Sequence, residues 1–261
     1  MTQRAESPAT PRGRFTTAEI TRREDFAEDL WRVWLKPEQS FLFKPGQYCT
    51  IGYDGIERAY SIVSSPREDE IELFIERVPP PDGALTPLLY KLQPGATVTL
   101  RPRAKGVFVL QPDAKNHLFM STVTGVVPYV SILRYHLETL VGLATDPGQQ
   151  PFGEFNFFVL EGASYVDEFG YDGELSRMAA EHDNIRFVPT ISRPREERNA
   201  GWTGETGRVN VLTEKYIDKF HLSPDDTIVY ACGHPQMIED VKHRLNGTGY
   251  RVEEERFWKE D

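Results

Sequence analysis

Arg58-Ala59-Tyr60-Ser61 alternates a cation with an aromatic ring, so on a strand Arg58 and Tyr60 leave one face and Ser61 the other. That pattern suits an anionic ligand with a flat ring, and it also suits an ordinary surface strand. Pro81-Asp82-Gly83-Ala84-Leu85-Thr86-Pro87 sets a glycine turn ahead of a short helix, where backbone N–H groups and a hydroxyl can hold a phosphate; a plain turn has the same letters. Thr122-Val123-Thr124-Gly125-Val126-Val127-Pro128 joins an apolar strand to a helix, the crevice position for a nucleotide in a parallel sheet, but it departs from the usual glycine fingerprint. Ala231-Cys232-Gly233-His234-Pro235-Gln236-Met237 occupies a second strand-to-helix junction. There Gly233 permits close approach of a ligand, and Cys232 is either in the crevice or a small apolar core residue. Phe257 and Trp258, near the chain end, offer a ring that stacks on a planar group or plugs the domain.

The elements that must position these residues change character along the chain. Residues 1–14 hold little to bury and read as a mobile tail. Residues 15–112 carry short alternating segments: Phe15–Ile20, Leu30–Leu35, Gln47–Ile51, Arg58–Val63, Ile71–Val78, Thr97–Arg101 and Val107–Val109. Turn signals such as KPGQ, YDG and QPGA separate them, the rhythm of a sandwich or closed barrel. A short helix is expected at Thr86–Leu92. Residues 113–261 alternate strands with helices: His117–Thr122, a helix over Pro128–Leu140, Phe155–Glu161, a helix near Gly173–His182, Ile185–Ile191, a helix near Asn210–Phe220, Thr227–Ala231, a helix over Pro235–Leu245, and Tyr250–Phe257. This spacing predicts βαβ units and a mainly parallel sheet with ligands at the carboxyl ends of its strands.

Charge divides along the same line. Residues 1–115 hold 16 Lys and Arg against 16 Asp and Glu, whereas residues 116–261 hold 14 against 24 and carry the whole net charge of −10. Such a balance argues against a basic nucleic-acid binder. No apolar run reaches the length of a membrane span. The N-terminus has no secretory signal pattern, so a cytoplasmic protein is the expectation. Cys49 and Cys232 stand far apart, which excludes a disulfide framework or a cysteine-based metal site within this sequence.

Taken in order, RAYS, the glycine turn, T-x-T-G-x-x-P, C-G-x-P-x-M and the terminal aromatic make the chain similar to the ferredoxin/flavodoxin–NADP reductase family, most of all its bacterial type. RAYS with the downstream VSSP, the S-I-L-R run at 131–134 and CGHPQM carry most of the resemblance, which runs from about Phe15 to Trp258. It implies an antiparallel Greek-key β-barrel holding FAD, then a Rossmann-like α/β domain holding NADP(H). By the resemblance, Arg58 pairs with the FAD pyrophosphate, Ala59 and Tyr60 lie along the flavin, and Ser61 lies beside flavin N5. Phe74, Ile75 and Glu76 flank the ribityl or adenine part, and Ala84, Leu85 and Thr86 the pyrophosphate. Thr124 touches both cofactors, with Gly125, Gly233 and Met237 on the nicotinamide nucleotide and Cys232 by the nicotinamide. Glu255 completes a catalytic group with Ser61 and Cys232, and Phe257 covers the flavin, with Trp258 as the alternative. Ser192, Arg193 and Arg208 sit where a ribose 2′-phosphate is expected and favour NADPH.

Three departures accompany this match. Val123 replaces the first glycine of the family's G-T-G-x-x-P, where a side chain crowds the pyrophosphate or changes the turn. Ser164 stands where bacterial relatives have a base. The stretch Glu154–Tyr171 is acidic and aromatic and does not align with the family pattern. The implied activity is electron exchange between NADP(H) and ferredoxin or flavodoxin by a monomeric enzyme. Arg101, Arg103 and Lys105 are the candidate docking charges, or simply a solvated rim. The alternatives are an oxygenase reductase component, a free-flavin reductase, or a non-catalytic nucleotide-binding module.

Overall fold

The computed structural model describes residues 15–145 and 155–256. An antiparallel sheet comes first: β1 (Thr16–Asp25), β2 (Leu30–Pro37), β3 (Tyr48–Tyr53), β4 (Ile56–Ser61), β5 (Ile71–Glu76) and β6 (Thr97–Leu100). Its order is β4-β3-β6-β1-β2-β5, so β6 returns to lie between the two hairpins. The edge strands β4 and β5 approach each other, and the Val63 N–H donates to Glu72 O at 2.9 Å, which nearly closes a barrel. Its core packs aliphatic residues, Leu35, Ile51, Leu73 and Leu100 among them, around Trp31.

Parallel strands follow: β7 (Asn116–Thr122), β8 (Asn156–Ala163), β9 (Ile185–Ile191), β10 (Glu205–Thr206), β11 (Thr227–Gly233) and β12 (Arg251–Arg256), in the order β10-β9-β8-β7-β11-β12. The chain runs outward from β7 to β10 and then crosses to β11. The switch point therefore lies between β7 and β11, where such sheets open a crevice. Both central strands are buried along nearly their full length, because helices cover both faces. Helices α2 (Val127–Thr145) and α3 (Asp172–Glu181) cover one face, together with Phe74 and Phe108 from the first unit. Helices α4 (Thr213–Lys219) and α5 (Pro235–Leu245) cover the other. Proline at the first turn of α5, the His234 ring accepting the Gln236 N–H at 3.2 Å, and bases in its last turn set its limits.

Four expectations from sequence are corrected. Val107–Val109 forms no strand: Gly106 turns with φ +103°, Val109 N–H bonds back to Val107 O at 2.9 Å, and Val107 is exposed. The helix expected at Thr86–Leu92 is only α1 (Thr86–Leu89), with turns after it. Strand β1 runs five residues beyond Ile20 through the charged Thr-Arg-Arg-Glu-Asp, because Arg23 is tucked in and donates to Tyr90 O at 2.5 Å and Leu92 O at 3.0 Å. Strand β10 was not foreseen; two residues carry no periodicity. The expected tail at 1–14 lies outside the described residues. Among them, no helix is long and apolar enough to cross a membrane, and no three His, Cys, Asp or Glu side chains are grouped to hold a metal.

Candidate functional site

A cleft of about 710 Å³ lies between the two sheets. One wall is Glu57, Arg58, Ala59, Tyr60 and Ser61, another is Phe74, Ile75 and Glu76, the floor is Asp82–Thr86, and Thr124 and Val127 face them. Alternation alone put Ser61 away from Arg58 and Tyr60. As β4 is an edge strand, residues from both of its faces border the cleft. Among the described residues, the exposed Arg58 guanidinium donates only to the adjacent Glu57 carbonyl, at 2.7 Å. The buried Tyr60 hydroxyl has no partner among the described residues, and burial pushes its pKa up.

The floor is a tight loop. Gly83 N–H donates to Pro79 O at 3.0 Å, and the Thr86 hydroxyl accepts from Val78 N–H at 2.9 Å, so that hydroxyl is engaged by the loop itself. A Cβ on Gly83 would stand 1.8 Å from Val78 O. Only glycine lets this loop close.

At the switch point two loops interlock backbone to backbone. A Cβ on Gly125 would lie 2.2 Å from Cys232 O, and one on Gly233 2.3 Å from the Thr122 hydroxyl, which accepts the His234 N–H at 2.8 Å. Val123 takes φ +44°, a left-handed backbone that a β-branched residue rarely adopts. Its side chain packs against the core clusters and does not line the cleft.

Ser61 and Glu255 meet across 194 residues: the Ser61 hydroxyl donates to Glu255 Oε2 at 3.3 Å. Burial, opposed by that hydrogen bond, pushes the Glu255 carboxyl up to about 7. On the parallel ladder Glu255 is registered with Cys232, and Cys232 with Ser121, so the three side chains share a face. Cys232 is fully buried, and burial, then the Glu255 charge, raises its thiol pKa well above the ordinary value. It belongs to the apolar cluster on that face, the core alternative foreseen from sequence. Met237 packs on the opposite side of the sheet among Val209, Ile238 and Val241, so only its backbone can face a ligand.

The loops after β8 and β9 form a third group. Ser192 N–H donates to Ala163 O at 2.9 Å. Arg193 Nη1 donates to the Tyr165 hydroxyl at 2.8 Å, and that hydroxyl donates to Glu196 at 2.5 Å. Arg208 is exposed at the end of the segment after β10. Arg101, expected as a docking charge, is bound by both Glu57 oxygens, at 2.8 and 2.5 Å. Phe257 and Trp258 lie outside the described residues.

Sequence reasoning missed several residues. Asn199 is buried and joins the two loops, donating to Ser164 O and Arg193 O at 2.9 Å each. Glu168 accepts the Ser164 and Tyr165 N–H groups at 2.7 and 3.0 Å. Glu161 is completely buried with neither carboxyl oxygen partnered among the described residues, and burial, then Asp172, raises its pKa. An acid ending the apolar run Phe157–Leu160 was its only signal.

Comparison with known proteins fits this geometry. The family described as the oxidoreductase NAD-binding domain matches residues 119–243. A flavodoxin/ferredoxin–NADP reductase of Shigella flexneri is 28% identical over 239 residues, 87% of this chain and 88% of that one. One component of a sodium-translocating NADH-quinone reductase of Yersinia pestis is 31% identical over 213 residues, 78% of this chain but 48% of that one. A ferredoxin NADP⁺ reductase from Neisseria gonorrhoeae, solved with bound FAD and NADP, superposes with a TM-score of 0.77 at 24% identity and covers 94% of this chain and all of that one.

Proposed function

We propose that this chain, which belongs to the ferredoxin/flavodoxin–NADP reductase family, is an FAD-dependent oxidoreductase that exchanges electrons between NADP(H) and a small one-electron carrier, ferredoxin or flavodoxin. The observation that carries this reading is the cleft itself: one opening bordered by a barrel edge strand, a glycine-closed loop and the switch-point loop of a parallel sheet.

The residues present fit FAD. Arg58 offers a pyrophosphate a charge with no carboxylate partner among the described residues, and the Ala84–Thr86 backbone turns toward the same cleft. Tyr60 offers a ring face and an unpartnered hydroxyl, and Phe74, Ile75 and Glu76 an apolar-to-polar wall for the rest of the cofactor. When bound, FAD supplies hydride exchange at its ring nitrogen and release of electrons one at a time.

The chain's own residues position and protonate. The Ser61 hydroxyl donates to Glu255 at the barrel edge, and with its pKa raised to about 7 the Glu255 carboxyl can take or give a proton at neutral pH. Cys232, buried and neutral beside Glu255 on the ladder, does not compete for the proton. Thr124 borders the opening on the switch-point side, and Ser192, Arg193 and Arg208 follow strand ends where a ribose phosphate of the dinucleotide would lie.

Anaerobic titration with NADPH and with NADH, followed by transfer to ferredoxin and to flavodoxin, tests the reading. Bleaching of the flavin by NADPH and onward reduction of either carrier is the expected result. A purified protein without flavin, or one that NADPH leaves oxidised, overturns it.

A further inference from the structure

We propose that Glu196 is a specificity-determining residue: its carboxylate already holds the Arg193–Tyr165 pair, so a ribose 2′-phosphate must displace it while a 2′-hydroxyl need not. The inference rests on the placement of the dinucleotide's ribose phosphate at Arg193 and Arg208.

The backbone holds together the two strand ends from which those arginines extend. Strands β9 and β10 pair in parallel with Thr206 opposite Ile191, and each arginine lies two residues beyond its member of that pair. Gly207 N–H donates to Ile191 O at 2.8 Å and Thr190 donates its hydroxyl to Gly207 O at 2.9 Å, which ties the second strand end to the first. Arg208 makes no ion pair among the described residues, but Arg193 is already matched. Its Nη1 lies 2.8 Å from the Tyr165 oxygen and 3.5 Å from Glu196 Oε1, and Tyr165 donates to Glu196 Oε2 at 2.5 Å. Guanidinium, phenol and carboxylate thus close a three-membered ring.

The loop is folded to keep Glu196 there. Glu196 N–H donates to Arg193 O at 3.2 Å and Asn199 N–H to Glu196 O at 2.9 Å, while the Asn199 side chain anchors Arg193 O. On the other side of Tyr165, Arg198 lies 4.2 Å over the ring and is paired with Asp167 at 2.8 Å. Each cation on this ring therefore carries its own carboxylate. A phosphate arriving at Arg193 competes with Glu196 for the same N–H groups and is repelled by it until it moves. An unphosphorylated ribose meets neither effect, so Glu196 lowers affinity for NADP(H) selectively.

The test is calorimetric titration of the flavin-loaded protein with adenosine 2′,5′-bisphosphate and with 5′-AMP, at low and high salt. Glu196→Gln should tighten the bisphosphate roughly fivefold at low salt, shrinking as salt is raised, and leave 5′-AMP within about twofold. Arg193→Gln added to that variant should abolish the gain. Equal tightening of both ligands, or none, overturns the proposal. If wild type prefers the bisphosphate and Arg193→Gln removes that preference while Glu196→Gln does nothing, the functional reading stands and Glu196 has no part in specificity. If the bisphosphate binds no better than 5′-AMP to either protein, the placement of the phosphate fails, and the proposal with it.

Discussion

Arg134 and Arg193 each sit with a glutamate and a tyrosine hydroxyl, in surroundings that differ in almost every other respect. Arg134, on α2, donates to Glu72 Oε2 at 2.7 Å and to both oxygens of Glu174 at 2.8 Å, while Tyr171 donates to the other Glu72 oxygen at 2.7 Å. Glu72 belongs to the barrel and Glu174 to α3, so this one guanidinium ties the antiparallel sheet to the parallel unit. The Glu72 side chain is 3% exposed and that of Arg134 16%. Burial works against the Arg134 charge, but Glu174 and Glu72 outweigh it and hold its pKa above the ordinary value. Around Arg193 the same groups are about half exposed: 52% for the arginine and 49% for Glu196. The buried triad has no water to replace a lost partner. The exposed one has water and salt available at every moment, so its contacts can be exchanged for those of a ligand.

The largest loss from a single substitution should come from breaking the buried triad. Glu72→Ala leaves the buried Tyr171 hydroxyl without a partner and Arg134 with Glu174 and Glu68 alone, and should lower stability by about 1–3 kcal/mol in chemical denaturation. A loss below about 1 kcal/mol would put the Arg134 region in the same class as the surface one.

Glu255 sharpens the contrast, as a buried acid with a hydroxyl but no cation beside it. Its carboxyl is raised from the ordinary value of 4.5 to about 7, so between pH 4.5 and 7 the folded state binds more protons than the unfolded one. Stability should therefore fall as pH rises through that window, by roughly 3 kcal/mol, and Glu255→Gln should flatten the fall. The rate of flavin reduction by NADPH should show an inflection near pH 7 that the same variant removes. An unchanged profile would mean that the Glu255 proton does not take part.

The smallest effect belongs to Arg198, whose Asp167 pair is open to solvent, with the two side chains 44% and 43% exposed. Arg198→Ala should cost less than about 1 kcal/mol and nothing measurable at high salt. A larger loss would show that stacking over Tyr165, rather than the ion pair, holds that loop.

Much of the architecture is legible along the chain because its causes are local. The period of the apolar residues marks the change from an antiparallel to a parallel unit, and Pro235 with the bases near Leu245 bounds α5 at the expected residues. The junctions at Thr122–Val127 and Cys232–Pro235 are readable as strand ends meeting helix starts, which is enough to place a crevice. Proximity and solvent access across the fold are not written locally. Only the tertiary structure brings Ser61 to Glu255 over 194 residues and so moves a carboxyl toward neutrality. It also commits Arg101 to Glu57 and Arg193 to Glu196, two cations that sequence alone leaves free. The pairing of β9 with β10 brings the strand ends before Arg193 and Arg208 together, and packing buries Glu161 completely. Sequence determined which side chains exist and on which kind of element. Which charges keep their water, and which meet one another first, was decided by packing, because the energy of a charge depends on what surrounds it more than on what precedes it in the chain.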